Sequence, residues 1–213
     1  MATTYDLLNK AGAWRGLIPK SDGVTDLIKK KYDTKDIQEL IIFADAYNAE
    51  RKFFKKLAFL LRGANRKETC ANIYRFVRLN VKYVRDTLNN DTVKSAIATL
   101  EDGYGDCKVM TLLTGAILRE LGIFYRIRFV AYDSTKQVTH VYLIATVDGL
   151  DVIIDCVYHY FNAQIPFNYF EDFYVFNEAA KINGIVTPND TGGYSTFILL
   201  FFLGLGIYTW RKD

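Results

Sequence analysis

Glu101-Asp-Gly-Tyr-Gly-Asp-Cys107 runs directly into Lys108-Val-Met-Thr-Leu-Leu-Thr-Gly-Ala-Ile-Leu-Arg-Glu-Leu-Gly122. The first piece is a tight turn punctuated by glycines. The second carries Val109, Leu112, Leu113, Ala116, Ile117 and Leu121 at helical spacing. Gly122 then supplies the residue that ends such a helix. A cysteine in the first helical turn sits beside unpaired backbone N–H groups and the positive end of the helix dipole. Both stabilise a thiolate, which is the nucleophilic form. The same N–H groups can receive an oxyanion. The glycines before the cysteine let the backbone approach a substrate closely. Cys107 is therefore the candidate nucleophile.

Three strand-like runs follow this helix. Tyr125–Tyr132 alternates Arg126 and Arg128 with Ile127 and Phe129. Val138–Val147 is β-branched and aromatic, and Leu150–Asp155 is a short apolar run. Asp148-Gly149 between the last two is a strong hairpin signal. His140 lies in Val138-Thr-His-Val-Tyr142. An imidazole there can take the thiol proton and return it to a leaving group. Asp155 ends the adjoining strand, where hairpin pairing can set its carboxylate beside His140 and fix the tautomer. His159, four residues after Asp155, is a rival base expected to pack in an aromatic run. Cys156 and His159 are two possible metal ligands, but no second pair stands at zinc-site spacing. No metal and no cofactor are expected. Asp102 and Asp106 are expected to make turn bonds, and Tyr104 to stand near the mouth of the cleft.

Upstream, Met1–Lys31 reads as short helices and loops. One long helix is expected from Asp33-Thr-Lys-Asp36 through Phe53, Phe54, Leu57 and Leu61 to Gly63. A second is expected from Lys67 to Val84, with Ile73, Phe76 and Val77 inward and Arg75, Arg78 and Lys82 elsewhere. Val93–Leu100 is a short helical or extended piece. Helices, then a central helix, then an antiparallel meander make an α+β chain. The stretch from Tyr158 to Ile182 stays unassigned. The expected division is a helical region over 1–66, a domain over 67–186, a linker over 187–193 and an apolar segment over 194–210.

Half of the 213 residues are hydrophobic and 24% are charged, an ordinary globular composition. Fifteen Tyr and fifteen Phe argue against disorder. Residues 1–85 carry a net +9 and residues 86–213 a net −6, which together give the chain's +3. The basic part could face anionic headgroups or nucleic acid, but no nucleic-acid-binding motif accompanies it, so no specific nucleic acid is expected. Three cysteines are too few for a disulfide scaffold and leave at least one free thiol. Met1–Asp6 leads into mixed charge with no continuous apolar run, so no secretory signal peptide is expected.

The order of cysteine at a helix start, histidine on a strand and aspartate on the next strand resembles the transglutaminase-like superfamily. That group includes transglutaminases, peptide N-glycanases and many bacterial and viral cysteine-protease-like proteins. The resembling stretch runs from about Ile73 to Tyr158. Its pieces are Phe76-Val-Arg-Leu-Asn-Val-Lys-Tyr83, Gly103-Tyr-Gly-Asp-Cys107, Leu121-Gly-Ile123, Thr139-His-Val141 and Ile153-Ile-Asp155. The resemblance implies a papain-like core, a central helix packed on an antiparallel sheet. It assigns Cys107 as nucleophile, His140 as base and Asp155 as orienting acid. The sequence departs from the family pattern at Val109, where a second acid is common, and at Ala96, where a proline is frequent. It departs again at Val152, in place of a tryptophan, and at Cys156, in place of a proline.

The implied reaction is thiolate attack on an amide or ester, with a thioester intermediate. A chain of this size favours hydrolysis of a peptide or protein amide over crosslinking. Tyr194–Trp210 is seventeen residues without a charge, flanked by aromatics and by Arg211-Lys212. As a helix it would span about 25 Å, close to the ~30 Å of a bilayer core. A C-terminal membrane anchor is therefore expected, with Asp213 on the cytoplasmic side or the equivalent side of a virion's inner membrane. The layout and the Lys/Asn/Ile/Tyr/Phe-rich composition look similar to phage-encoded proteins, which makes virion proteins expected partners. The alternative is a non-catalytic, membrane-anchored structural protein of a particle that keeps the fold.

Overall fold

Helix starts are written into the sequence as capping side chains. Thr3 and Asp6 form a reciprocal capping box before α1 (Thr4–Asn9). Asn65 caps α4 (Arg66–Asn80) through the Glu68 N–H, and Ser95 caps α5 (Ala96–Asp102) through that of Ala98. Asp106 caps α6 (Cys107–Glu120). The remaining helices are α2 (Thr34–Arg51) and α3 (Lys55–Leu60). The computed structural model describes residues 2–21, 34–86 and 93–174, all within one compact unit, Met1–Asn177. The linker expected at 187–193, the apolar helix expected at 194–210 and the end of the 67–186 domain lie outside the described residues. Among the described residues no helix is long and apolar enough to cross a membrane.

Two short strands, β1 (Lys82–Tyr83) and β2 (Tyr104–Gly105), pair in parallel just before α6. The main sheet contains β3 (Tyr125–Ala131), β4 (His140–Val147), β5 (Leu150–Ile154) and β6 (Tyr169–Tyr174). Its order is β5-β4-β3-β6 and every pairing is antiparallel. Asp148 and Gly149 both take positive φ, 51° and 78°, as a two-residue hairpin turn between Val147 and Leu150 requires.

Val141, Leu143, Ala145, Val152 and Ile154 alternate onto one sheet face and join the core formed by α6 and α4. Val130, Tyr142 and Ile144 form a smaller cluster on the other face, packed by Ile153 and Phe167. Arg126 and Arg128 stand there too, both bonded to Asp172 of β6, and Arg126 also to Asp151. Arg128 lies over the Phe167 and Phe170 rings. The expected α+β architecture, a central helix packed on an antiparallel sheet with helices before it, is the observed one.

Three boundaries differ from the expectations. The long helix through Phe53 is broken: Lys52 takes φ 46°, and Phe54 turns into the core before α3 restarts. The next helix stops at Asn80, so Lys82 and Tyr83 can pair with the loop before Cys107. The unassigned stretch supplies β6, which completes the sheet at the β3 edge.

At the far end of α6 from Cys107, Asp45 is buried and accepts the Tyr125 hydroxyl at 2.7 Å. Arg119 donates to the same carboxylate and, at 2.9 Å, to the Tyr125 oxygen. Gly115 is required there. A Cβ at that position would stand 2.8 Å from Asp45 Oδ1 and 2.9 Å from the Tyr125 hydroxyl.

Candidate active site

Cys107 is the first residue of α6, and Asp106 before it is the cap. One Asp106 oxygen accepts the Lys108 N–H at 3.0 Å and the Val109 N–H at 3.4 Å. Two of the first helical donors are thus consumed. Among the described residues the Cys107 N–H has no acceptor, and it is the helix donor left for a substrate's carbonyl oxygen. The sequence-level expectation of several free donors narrows to that one. Gly105 is held against the same turn, because a Cβ there would fall 2.1 Å from Val109 Cγ2. The valine that stands in place of the family's common acid therefore fills the space of a side chain at position 105.

Lys108 is buried and ion-paired to Asp106, with Asp86 at 3.3 Å. Burial works against its charge, and the Asp106 carboxylate outweighs burial, so its pKa is raised. The pair ties the start of α6 to the segment after β1.

His140 opens β4, and Asp155 directly follows β5. Leu143 faces Ile154 across the ladder, so continuing the register sets Asp155 opposite Tyr142. Tyr142 and His140 share a face, which makes Asp155 and His140 diagonal neighbours at one end of the sheet. The His140 Nε2–H donates to Asp155 Oδ2 at 2.7 Å. That leaves Nδ1 for the Cys107 thiol, which stands near enough to raise the imidazole's affinity for a proton. The structure thus brings together the three residues singled out in the sequence. Burial lowers the imidazole's affinity for a proton, but the bonds and charges of Asp155 and Cys107 outweigh it and push His140 up to about 10. The ring is also flanked by Tyr132 and Tyr142, with centroids at 6.0 and 5.7 Å.

Asp155 is fixed through its second oxygen. Oδ1 accepts the Val157 and Tyr158 N–H groups at 3.0 and 3.3 Å. Arg78 of α4 clamps the same loop by donating to the Cys156, Val157 and Tyr158 carbonyls at 2.9–3.2 Å. Arg78 is a positioning residue that sequence reading set only away from the buried face of its helix. A lone arginine at helical spacing carries no sign of a loop some eighty residues downstream.

The other candidates fall elsewhere. His159 is exposed rather than packed, and its Nδ1 faces Arg78 at 3.2 Å. Cys156 is buried, with its sulfur 3.4 Å from the Thr114 hydroxyl. Asp102 pairs with Lys94 at 2.5 Å, and the Lys94 ammonium stands 3.9 Å from the Tyr104 ring centroid. Among the described residues no group of three potential metal ligands converges.

A family model described as the transglutaminase-like superfamily matches residues 57–167. Among solved structures, a candidate cysteine protease from Cytophaga hutchinsonii is similar at 24% identity and a TM-score of 0.39, over 48% of this chain and 36% of its own. A candidate protease from Parabacteroides distasonis is similar at 18% identity and a TM-score of 0.45, over 54% of this chain and 25% of its own. The chain therefore spans about a third of the first and a quarter of the second. No curated protein matches it. The family match covers more than half of the 213 residues and includes Cys107, His140 and Asp155, so the chain belongs to the transglutaminase-like superfamily.

Proposed function

We propose that this protein is a cysteine acyl-transfer enzyme that hydrolyses peptide or protein amides through a thioester on Cys107, and that residues 194–210 hold it on a membrane as a component of a phage or virus particle. The observation that carries the enzymatic part is the bond of His140 to Asp155 at 2.7 Å, with the Cys107 thiol near the same imidazole. The thiol proton passes to His140 Nδ1 as Sγ attacks the carbonyl carbon. The carbonyl oxygen gains charge beside the Cys107 N–H. The imidazolium then protonates the departing amine as the C–N bond breaks, leaving a thioester. A water gives its proton to His140, attacks the thioester and frees the acid and the thiol.

Selective alkylation tests the nucleophile. Burial pushes the Cys70 and Cys156 thiols up to about 12, whereas Cys107 is partly accessible at the helix start. Iodoacetamide near neutral pH is expected to label Cys107 alone, as read by peptide mass spectrometry, and His140→Ala to slow it. Equal labelling of all three cysteines would favour the structural, non-catalytic reading.

The tethering part is supported by the seventeen uncharged residues of 194–210, whose Ser195, Thr196 and Thr209 all stand near the ends. In lipid each backbone N–H and C=O must pair within the segment, so a single span is helical. The particle part is supported by composition and layout. Deleting residues 194–213 is expected to leave a soluble, folded domain with cooperative thermal unfolding. Aggregation of the truncated protein would place the segment in the core instead.

A further inference from the structure

From Arg51 to Lys67 the chain carries seven cations and no acid: Arg51, Lys52, Lys55, Lys56, Arg62, Arg66 and Lys67. Around α3 the run comes to the surface. Leu57, Ala58 and Leu61 turn into the core, while Lys52, Lys55, Lys56, Arg62, Arg66 and Lys67 are exposed. Among the described residues none of these six forms an ion pair. Three acids on the adjoining helices are engaged. Glu68 accepts the Ala64 N–H at 2.7 Å, Glu120 accepts the Phe54 N–H at 3.3 Å, and Asp6 belongs to the cap of α1. In the middle of the cations stands Phe59, 62% exposed, with the Arg62 guanidinium 4.9 Å from its ring centroid. Thr4 donates to the Leu60 carbonyl at 2.6 Å, which brings α1 to the end of α3, and Tyr5 beside it is 74% exposed.

We propose that this surface, centred on Lys55, Lys56, Phe59 and Arg62, docks the protein on an anionic lipid bilayer. A phenylalanine held out among lysines and an arginine fits a headgroup boundary, where the ring enters the acyl edge and the cations meet lipid phosphates and carboxylates. Nucleic acid would use the same cations, but no motif of a nucleic-acid-binding fold accompanies them. The position also suits the proposed chemistry. The Phe54–Glu120 bond sets α3 beside the last turn of α6, whereas Cys107 begins that helix. Fourteen residues separate the two ends by about 20 Å. A bilayer on this surface therefore leaves the Cys107 end free to take a substrate. The inference rests on the membrane reading above only in that the tail would supply a second, charge-independent attachment.

An environment-sensitive fluorophore on Phe59→Cys, in a Cys107→Ser background of the full chain, reads the surface itself. Mixed phosphatidylserine–phosphatidylcholine vesicles are expected to shift its emission to the blue, and phosphatidylcholine vesicles to leave it unchanged. Adding Lys55→Glu, Lys56→Glu and Arg62→Glu, all at exposed positions, is expected to raise the lipid needed at least about tenfold. The neutral set Lys55→Gln, Lys56→Gln and Arg62→Gln is expected to fall between. An equal shift on both vesicle types, a shift that survives charge reversal, or a shift with single-stranded DNA and none with anionic vesicles would overturn the proposal. Flotation with phosphatidylcholine vesicles alone reports the tail separately, so a failure of the anchor and a failure of this surface are told apart.

Discussion

Asp155→Asn is expected to slow acylation of Cys107 by an activated ester on the order of a thousandfold or more while leaving the fold intact. Asp155 Oδ2 accepts from His140 Nε2, which turns Nδ1 toward the thiol as the acceptor of its proton. An amide there can donate to Nε2 instead. The ring proton then sits on Nδ1, and the imidazole can no longer take the proton of Cys107. The carbonyl of the new amide can still accept the Val157 and Tyr158 N–H groups, so the loop clamped by Arg78 is expected to stay in place. A second signature follows from the charge. His140 is raised from 6.5 to about 10, with burial opposing and Asp155 and Cys107 prevailing. A group raised on folding contributes stability that is fully present below about pH 6.5 and is lost as pH rises through about 10. Urea unfolding of the native protein is expected to show that loss, and Asp155→Asn to show a smaller one. An acylation rate within a few fold of the native protein would remove Asp155 from the mechanism.

Asp45→Ala is expected to destabilise the protein by about 3–5 kcal/mol, a large part of a typical domain's stability. Asp45 is buried, and its carboxylate holds both Arg119 and the Tyr125 hydroxyl. Truncation strands the Arg119 charge in the interior and removes the acceptor of Tyr125. Asp45→Asn keeps a partner for the hydroxyl and should cost less. The cluster sits at the end of α6 away from Cys107, so a loss of stability with the acylation rate of the folded fraction unchanged is the expected pattern. A change in the urea midpoint worth less than about 1 kcal/mol would show that solvent reaches the cluster.

The helix that begins at Cys107 was legible because its signals are local: the Gly-rich turn, the apolar spacing and Gly122. The pairing of His140 with Asp155 was legible through Asp148-Gly149, since a two-residue hairpin fixes the register of both strands. β6 was not legible. Phe170, Asp172 and Tyr174 share one face, while Tyr169, Glu171 and Phe173 share the other. Each face mixes acid with aromatic, and no alternation marks a buried side. Its partners lie some forty residues upstream, with Asp172 meeting Arg126 and Arg128, and Phe173 meeting Phe129 edge to face at 5.5 Å. The break at Lys52 was hidden for a related reason: helical spacing continues through Phe53 and Phe54, while Lys52 turns the chain and Phe54 is buried. Arg78 gave no sign of its role, because the carbonyls it meets come from the fold rather than from neighbouring sequence.

The central claim is that Cys107 carries an acyl group with His140 as its base. Mass spectrometry of the protein after brief exposure to a p-nitrophenyl ester measures this directly. The account predicts a burst of p-nitrophenol matched by one acyl adduct on Cys107, hydroxylamine-labile, absent in Cys107→Ser and strongly slowed in His140→Ala. An adduct on Cys70 or Cys156, or acylation of Cys107 at the native rate in His140→Ala, would contradict it.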